Sequence, residues 1–150
     1  NGQGEPFCCY MYGLFMAEGA VDITTGKTAV EKLTMIADIG KVNNRLVTDG
    51  QLYGGLAQGI GLALTEDYED IKKHSTLIGA GLPYKDVPDD IELIYLENSR
   101  KDGPFGASGV GELPLTAPHA AIINAIYQAC GARVRHLPAR PEKVLAALKK

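Results

Sequence analysis

The stretch Asp49–Glu66, DGQLYGGLAQGIGLALTE, decides the fold. Leu52, Leu56, Ile60, Ala63 and Leu64 recur in it at spacings of three and four and so line one face of an amphipathic helix. Four glycines, Gly54, Gly55, Gly59 and Gly61, interrupt that helix. Each costs about 0.5–1 kcal/mol relative to alanine in a helix interior, so the pattern predicts close approach of another chain element or of a ligand. Gln58 lies between Ala57 and Gly59, where its amide can both donate and accept from a backbone thinned by glycine. An exposed polar residue is the equally simple alternative.

Upstream, Phe7 to Ile23 is aromatic and aliphatic, Thr24 to Lys27 supplies turn chemistry, and Thr28 to Ile39 resumes with Val30, Leu33, Met35 and Ile36. An antiparallel hairpin behind a loop at Asn1 to Pro6 is predicted. Tyr10, Tyr12, Leu14 and Met16 share one parity with Met11, Phe15 and Ala17 on the other. The first strand is therefore expected to be covered on both faces, one of them by protein mass beyond a small free-standing domain. Asp38, Asn43 and Asn44 read as turn formers.

Downstream, the polar stretch Glu66 to Asp90 reads as a long surface excursion and Ile91 to Leu96 as a short strand. Arg100 to Leu115 is loop-like. A helix beginning at Thr116 carries Ile122, Ile123, Ile126 and Tyr127 on one face and ends on Gly131 as a left-handed cap. After an extended Arg133 to Leu137, Pro141 opens a terminal helix with Val144, Leu145 and Leu148, and Lys149 and Lys150 stand at its negative end. The expected class is α+β, with mixed or antiparallel strands and amphipathic helices.

The 150 residues suffice for one domain or one piece of something larger. Apolar residues make up 45% and charged residues 22%, which argues for a packed core and against wholesale disorder. Fifteen basic residues stand against 18 acidic ones without long single-sign runs, so neither nucleic acid nor an anionic membrane is an expected partner. No apolar run approaches the roughly 20 residues that span a bilayer, and Asn1 to Pro6 lacks the layout of a signal peptide; the reading is a soluble, cytoplasmic chain. Cys8, Cys9 and Cys130 cannot build a disulfide framework, and His74, His119 and His136 are too scattered for a local metal motif.

Glycine is the outlier, with 18 in 150 residues against about 7% in ordinary usage. Its densest segment is Gly106-Ala107-Ser108-Gly109-Val110-Gly111-Glu112-Leu113-Pro114. Successive N–H groups there can form an anion-binding nest beside a helix start, or the loop is simply a tight connection. The segment is neither a Walker A loop nor G-x-G-x-x-G. Glu112 is the only ionisable residue between Asp102 and His119, among Val110, Leu113 and Leu115. It suits a general base in partly desolvated surroundings, or a helix-flanking carboxylate interacting with the dipole.

Taken together, Gly50 to Gly61 followed by Ala63-Leu64-Thr65-Glu66, and then Gly106 to Pro114, resemble the C-terminal part of the molybdenum subunit of the xanthine oxidase family. Within it, Ala-Ser-Gly-Val-Gly-Glu-Leu-Pro-Leu and the tail Arg133 to Leu145 are similar to the bacterial aldehyde oxidoreductase branch. The resemblance runs from about Gly2 to the C-terminus. It implies that residues 1–150 are the C-terminal segment of a molybdenum cofactor-binding domain, part of a polypeptide several hundred residues longer. It also implies a molybdopterin, in the cytosine dinucleotide form, as cofactor. Ser108, Gly109, Val110 and Gly111 would contact its pterin end through the backbone, Gln58 would hydrogen-bond it, Glu112 would be the catalytic carboxylate, and no side chain would ligate the metal. The implied substrate is a small aldehyde oxidised to a carboxylic acid. Iron–sulfur clusters of the 2Fe-2S type, expected outside this stretch, would pass electrons to an external acceptor, and the whole would be a homodimer, with the 150-residue chain inactive alone. A purine or heterocycle hydroxylase of the same family, and a non-catalytic packing or binding module, are the alternatives.

Overall fold

The computed structural model describes Gln3, Gly4, residues 9–83 and residues 85–149. Most of the expected Asn1 to Pro6 loop, together with Phe7, Cys8 and Lys150, lies outside the described residues.

Strand β1 (Tyr12–Val21) turns through Asp22 to Lys27 into β2 (Thr28–Asp38), and the two pair antiparallel with a bulge between Glu18 and Gly19. The turn is built by Asp22, whose carboxylate accepts the Thr24 N–H at 2.8 Å and the Thr25 hydroxyl at 2.8 Å, while Gly26 takes φ +77°. Strand β3 (Asp90–Tyr95) adds to the other edge of β2 and runs parallel to it, so the order β1-β2-β3 makes a small mixed sheet. The α+β class holds.

Three longer helices close one face of the sheet or its ends. Helix α1 (Arg45–Leu64) starts four residues before the expected point because Asn44 caps it, its side chain accepting the Val47 N–H at 3.2 Å. Among its described residues the polar excursion holds a one-turn helix, α2 (Leu77–Ala80). Helix α3 (Pro118–Cys130) begins later than Thr116, whose hydroxyl donates to the Leu113 carbonyl at 2.8 Å, and ends on Gly131 at φ +77°. Of its four apolar candidates Ile122 and Ile126 are buried and Tyr127 is exposed, its ring covered by the Arg133 guanidinium at 3.6 Å. Helix α4 (Pro141–Leu148) buries Val144.

The core joins Leu33 and Met35 of β2 to Leu52, Leu56 and Ile60 of α1, Ile122 and Ile126 of α3, and Val144 of α4, all essentially inaccessible. Burial of each such side chain contributes roughly 1.5–3 kcal/mol. Strand β1 agrees with the expectation that this chain alone covers only one of its faces. Phe15, Ala17 and Val21 turn toward the core, whereas Tyr12, Leu14 and Met16 are exposed, so only one face is covered within this chain. Both parities are apolar, and a three-stranded sheet with helices on one side can bury only one of them.

Candidate functional site

The helix glycines divide into two sets. A Cβ at Gly55 would stand 2.8 Å from the Pro114 Cβ, and one at Gly59 would stand 3.0 Å from the Pro118 Cβ, each closer still to the ring Cγ; one at Gly61 would run into Glu66 and Pro83. These three glycines exist for chain packing: α1 lies directly on Pro114, the middle residue of the turn Leu113–Leu115, and on Pro118, which opens α3. Gly50 and Gly54 differ, because a Cβ at either would have no atom within 4 Å beyond the adjacent turns of its own helix. They share the exposed face of α1 with Gln51 and Gln58.

The loop after β3 is held at its start by a charged cluster. Arg100 donates to the Asp38 carboxylate at 2.8 Å, to the Asp38 carbonyl at 3.2 Å and to the Tyr10 carbonyl at 3.0 Å, and Asn98 donates to the other Asp38 oxygen at 2.8 Å. Burial pushes the Asp38 carboxyl up, but the hydrogen bonds from Asn98, the Gly40 N–H and Arg100, with the Arg100 charge, outweigh it and hold the pKa below its ordinary value. Asp38 is thus an ion-pair hub as well as the turn former read from sequence. From this hub the chain is laced to the end of β2: Arg100 N–H and Lys41 N–H both donate to the Gly106 carbonyl, at 2.8 and 2.9 Å, and Ser108 N–H donates to the Ile39 carbonyl at 2.8 Å.

Beyond Ser108 the lacing stops. The N–H groups of Gly109, Val110, Gly111 and Glu112 donate to nothing among the described residues, and the Ser108 hydroxyl is buried with no hydrogen-bond partner there. A buried polar atom left unpaired costs about 1–3 kcal/mol, and the Ser108 hydroxyl shares that state with the Thr28 hydroxyl and His119 Nδ1; of the three it is the one beside the run of unpaired N–H groups. Neither Gly109 nor Gly111 has positive φ. A Cβ at Gly109 would meet only Met11, at 3.6 Å, and one at Gly111 would meet nothing. Nothing among the described residues requires glycine at either place. Such glycines suit close approach of another group to the backbone.

The two glycine surfaces are joined by one bond. Gln51 Nε2 donates to the Gly111 carbonyl at 2.6 Å. Sequence reasoning singled out Gln58, which is exposed on α1 without a described partner, and missed Gln51, two turns earlier on the same face. A glutamine seven residues from Gln58 in a helix was the available signal. The structure also corrects the surroundings of Glu112. Leu113 and Pro114 turn into the core, so the residue before them points outward, and Glu112 is exposed on this chain rather than desolvated. Phe105, at the tip of the same loop, is 90% exposed with φ +51°, an unfavourable backbone for a bulky residue. It was not anticipated.

Elsewhere the candidates are fewer. Among the described residues no group of three His, Cys, Asp or Glu side chains could hold a metal, Cys9 and Cys130 are half-buried, with the Cys130 thiol donating to the Ile126 carbonyl at 3.2 Å, and no helix is long and apolar enough to cross a membrane. The site is therefore a backbone surface. Free N–H groups, an unpaired hydroxyl and the Gln58 amide suit a polar, anionic group.

Residues 1–88 match the molybdopterin cofactor-binding domain family, to which the chain belongs. The chain is 65% identical, over 99% of its length, to aldehyde oxidoreductase of Megalodesulfovibrio gigas. It superposes on the crystal structure of aldehyde oxidoreductase from Desulfovibrio desulfuricans with a TM-score of 0.93 at 74% identity, over 97% of this chain. A probable hypoxanthine oxidase of Escherichia coli is 33% identical over 97% of this chain. The chain spans 16% of the length of each of these relatives.

Proposed function

We propose that this chain is the C-terminal segment of the molybdenum cofactor-binding domain of an enzyme that oxidises small aldehydes to carboxylic acids. The observation that carries the reading is the surface bare of side chains at Gly50, Gly54, Gly109 and Gly111, bordered by the unpaired Ser108 hydroxyl and by Glu112. A molybdopterin fits it: Ser108, Gly109, Val110 and Gly111 hold it through main-chain amides and the hydroxyl, with Gln58 donating from α1. When bound, the molybdenum centre supplies the two-electron oxidation and the site at which oxygen is delivered to substrate. Glu112 acts as carboxylate and accepts at an Oε the proton shed as a water oxygen adds to the aldehyde carbon. Its exposure here leaves it open to a substrate cavity completed by the rest of the polypeptide.

The aldehyde reading is supported by the aldehyde oxidoreductases at 65 and 74% identity. Heterocycle hydroxylation is the second reading, supported by a nicotine 6-hydroxylase large subunit at 35% identity over 86% of this chain. The cytosine dinucleotide form of the cofactor, 2Fe-2S clusters and an external electron acceptor served by the remaining polypeptide, homodimer assembly and a cytoplasmic location complete the proposal, and rest on the resemblance of the two glycine segments. Glu112→Gln in the full-length enzyme is the test. Molybdenum per protein stays unchanged while kcat for aldehydes falls by at least roughly 10². Near-normal turnover in a loaded variant refutes the role of Glu112, and turnover of purines but not aldehydes by the parent enzyme refutes the substrate class.

A further inference from the structure

We propose that Gln51 is a positioning residue for the catalytic carboxylate, holding the Gly111–Glu112 peptide in place through the Gly111 carbonyl. The inference rests on the reading of Glu112 as the base and extends it to a residue that never touches the reacting atoms. The contact is short, 2.6 Å from Nε2 to the carbonyl oxygen, and joins segments 60 positions apart. Among the described residues it is the only side-chain hydrogen bond to the backbone between Gly109 and Glu112.

The mechanical need follows from what lies on either side. Upstream, the loop is tied to β2 through Ser108 and Gly106; downstream, Leu113 and Pro114 are buried. Between these anchors Gly109 and Gly111 supply two residues with unrestricted φ, so the peptide plane before Glu112 can pivot unless something pins it. Gln51 is suited to pin it because α1 cannot move. Leu52 and Leu56 are fully buried beside it, and Gly55 and Gly59 seat the helix on Pro114 and Pro118. Nearer the start of the helix, Asp49 receives the Tyr95 hydroxyl at 2.6 Å and the Arg45 Nε at 2.9 Å. A base displaced by about 1 Å can lose on the order of 10² in rate.

The experiment is a double-mutant cycle in the full-length enzyme with Gln51→Leu, which keeps the helix but removes the donor, and Glu112→Gln. Gln51→Leu is expected to lower kcat by roughly 10–10²-fold with molybdenum content and the KM for aldehyde nearly unchanged. The double variant should be no slower than Glu112→Gln alone, since positioning a group already replaced has no further effect. Multiplicative losses, or loss of molybdenum from Gln51→Leu, overturn the inference by assigning Gln51 to the cofactor or to the fold. Normal kcat in Gln51→Leu does the same. Normal turnover in Glu112→Gln alone fails the parent reading instead, so the two failures are told apart.

Discussion

Gly54 and Gly55 are neighbours on α1, and a methyl group added at each meets opposite surroundings. At Gly54 it enters open space, so Gly54→Ala gains the helix-propensity difference of about 0.5–1 kcal/mol. At Gly55 it would overlap the Pro114 ring, which has no rotamer to retreat into. Either α1 or the Leu113–Leu115 turn must shift. Such overpacking costs about 2 kcal/mol at the centre of its usual range, which leaves Gly55→Ala net less stable by roughly 1 kcal/mol after the propensity gain. That gain is common to both variants, so they differ by the overpacking cost of about 2 kcal/mol. With a urea dependence of about 2 kcal/mol per molar, their unfolding midpoints separate by roughly 1 M, on opposite sides of the parent. The assay is urea unfolding of the 150-residue chain followed by far-UV circular dichroism. In the full-length enzyme the sign at Gly54 reverses: the added methyl occupies the surface assigned to the cofactor, and molybdenum per protein falls. A Gly54→Ala chain less stable than the parent, or a fully loaded Gly54→Ala enzyme, refutes the division of the glycines into packing and ligand sets.

Ser108→Val follows the same logic, removing an unpaired buried hydroxyl. The 150-residue chain is expected to keep or gain stability, by up to about 1 kcal/mol, while the full-length enzyme loses molybdenum, read by elemental analysis. Asp38 sets an acid dependence. Its folded pKa lies below the ordinary carboxyl value, so its contribution is complete above the unfolded pKa near 3.8 and is lost as pH falls through the lower folded value. Asp38→Asn should flatten the fall in melting temperature between about pH 5 and pH 2; an unchanged slope rejects the Asp38–Arg100 pair as its source.

Much of the architecture was legible because its signals are local. The three-and-four spacing in Leu52, Leu56 and Ile60, the turn chemistry before Thr28, Gly131 after the last helical turn and Pro141 at a helix start each depend on residues within a few positions of one another. The start of α1 was misplaced because the cap, Asn44, precedes the apolar period and reads equally as a turn residue. Gln58 was visible as an amide among glycines, but its value against Gln51 depends on which of two residues on one helix face meets a distant loop.

The sequence by itself determined the elements, the α+β class and the two glycine segments to which the proposed chemistry is assigned, since periodicity, capping and composition act at short range. Only the tertiary structure decided that β3 runs parallel to β2, that Glu112 is exposed, that Arg100 and Asp38 anchor the loop, and that Gly55 and Gly59 serve prolines while Gly54 and Gly111 face nothing among the described residues. Those facts depend on contacts between residues some 60 positions apart, and a missing side chain records that something comes close without recording what.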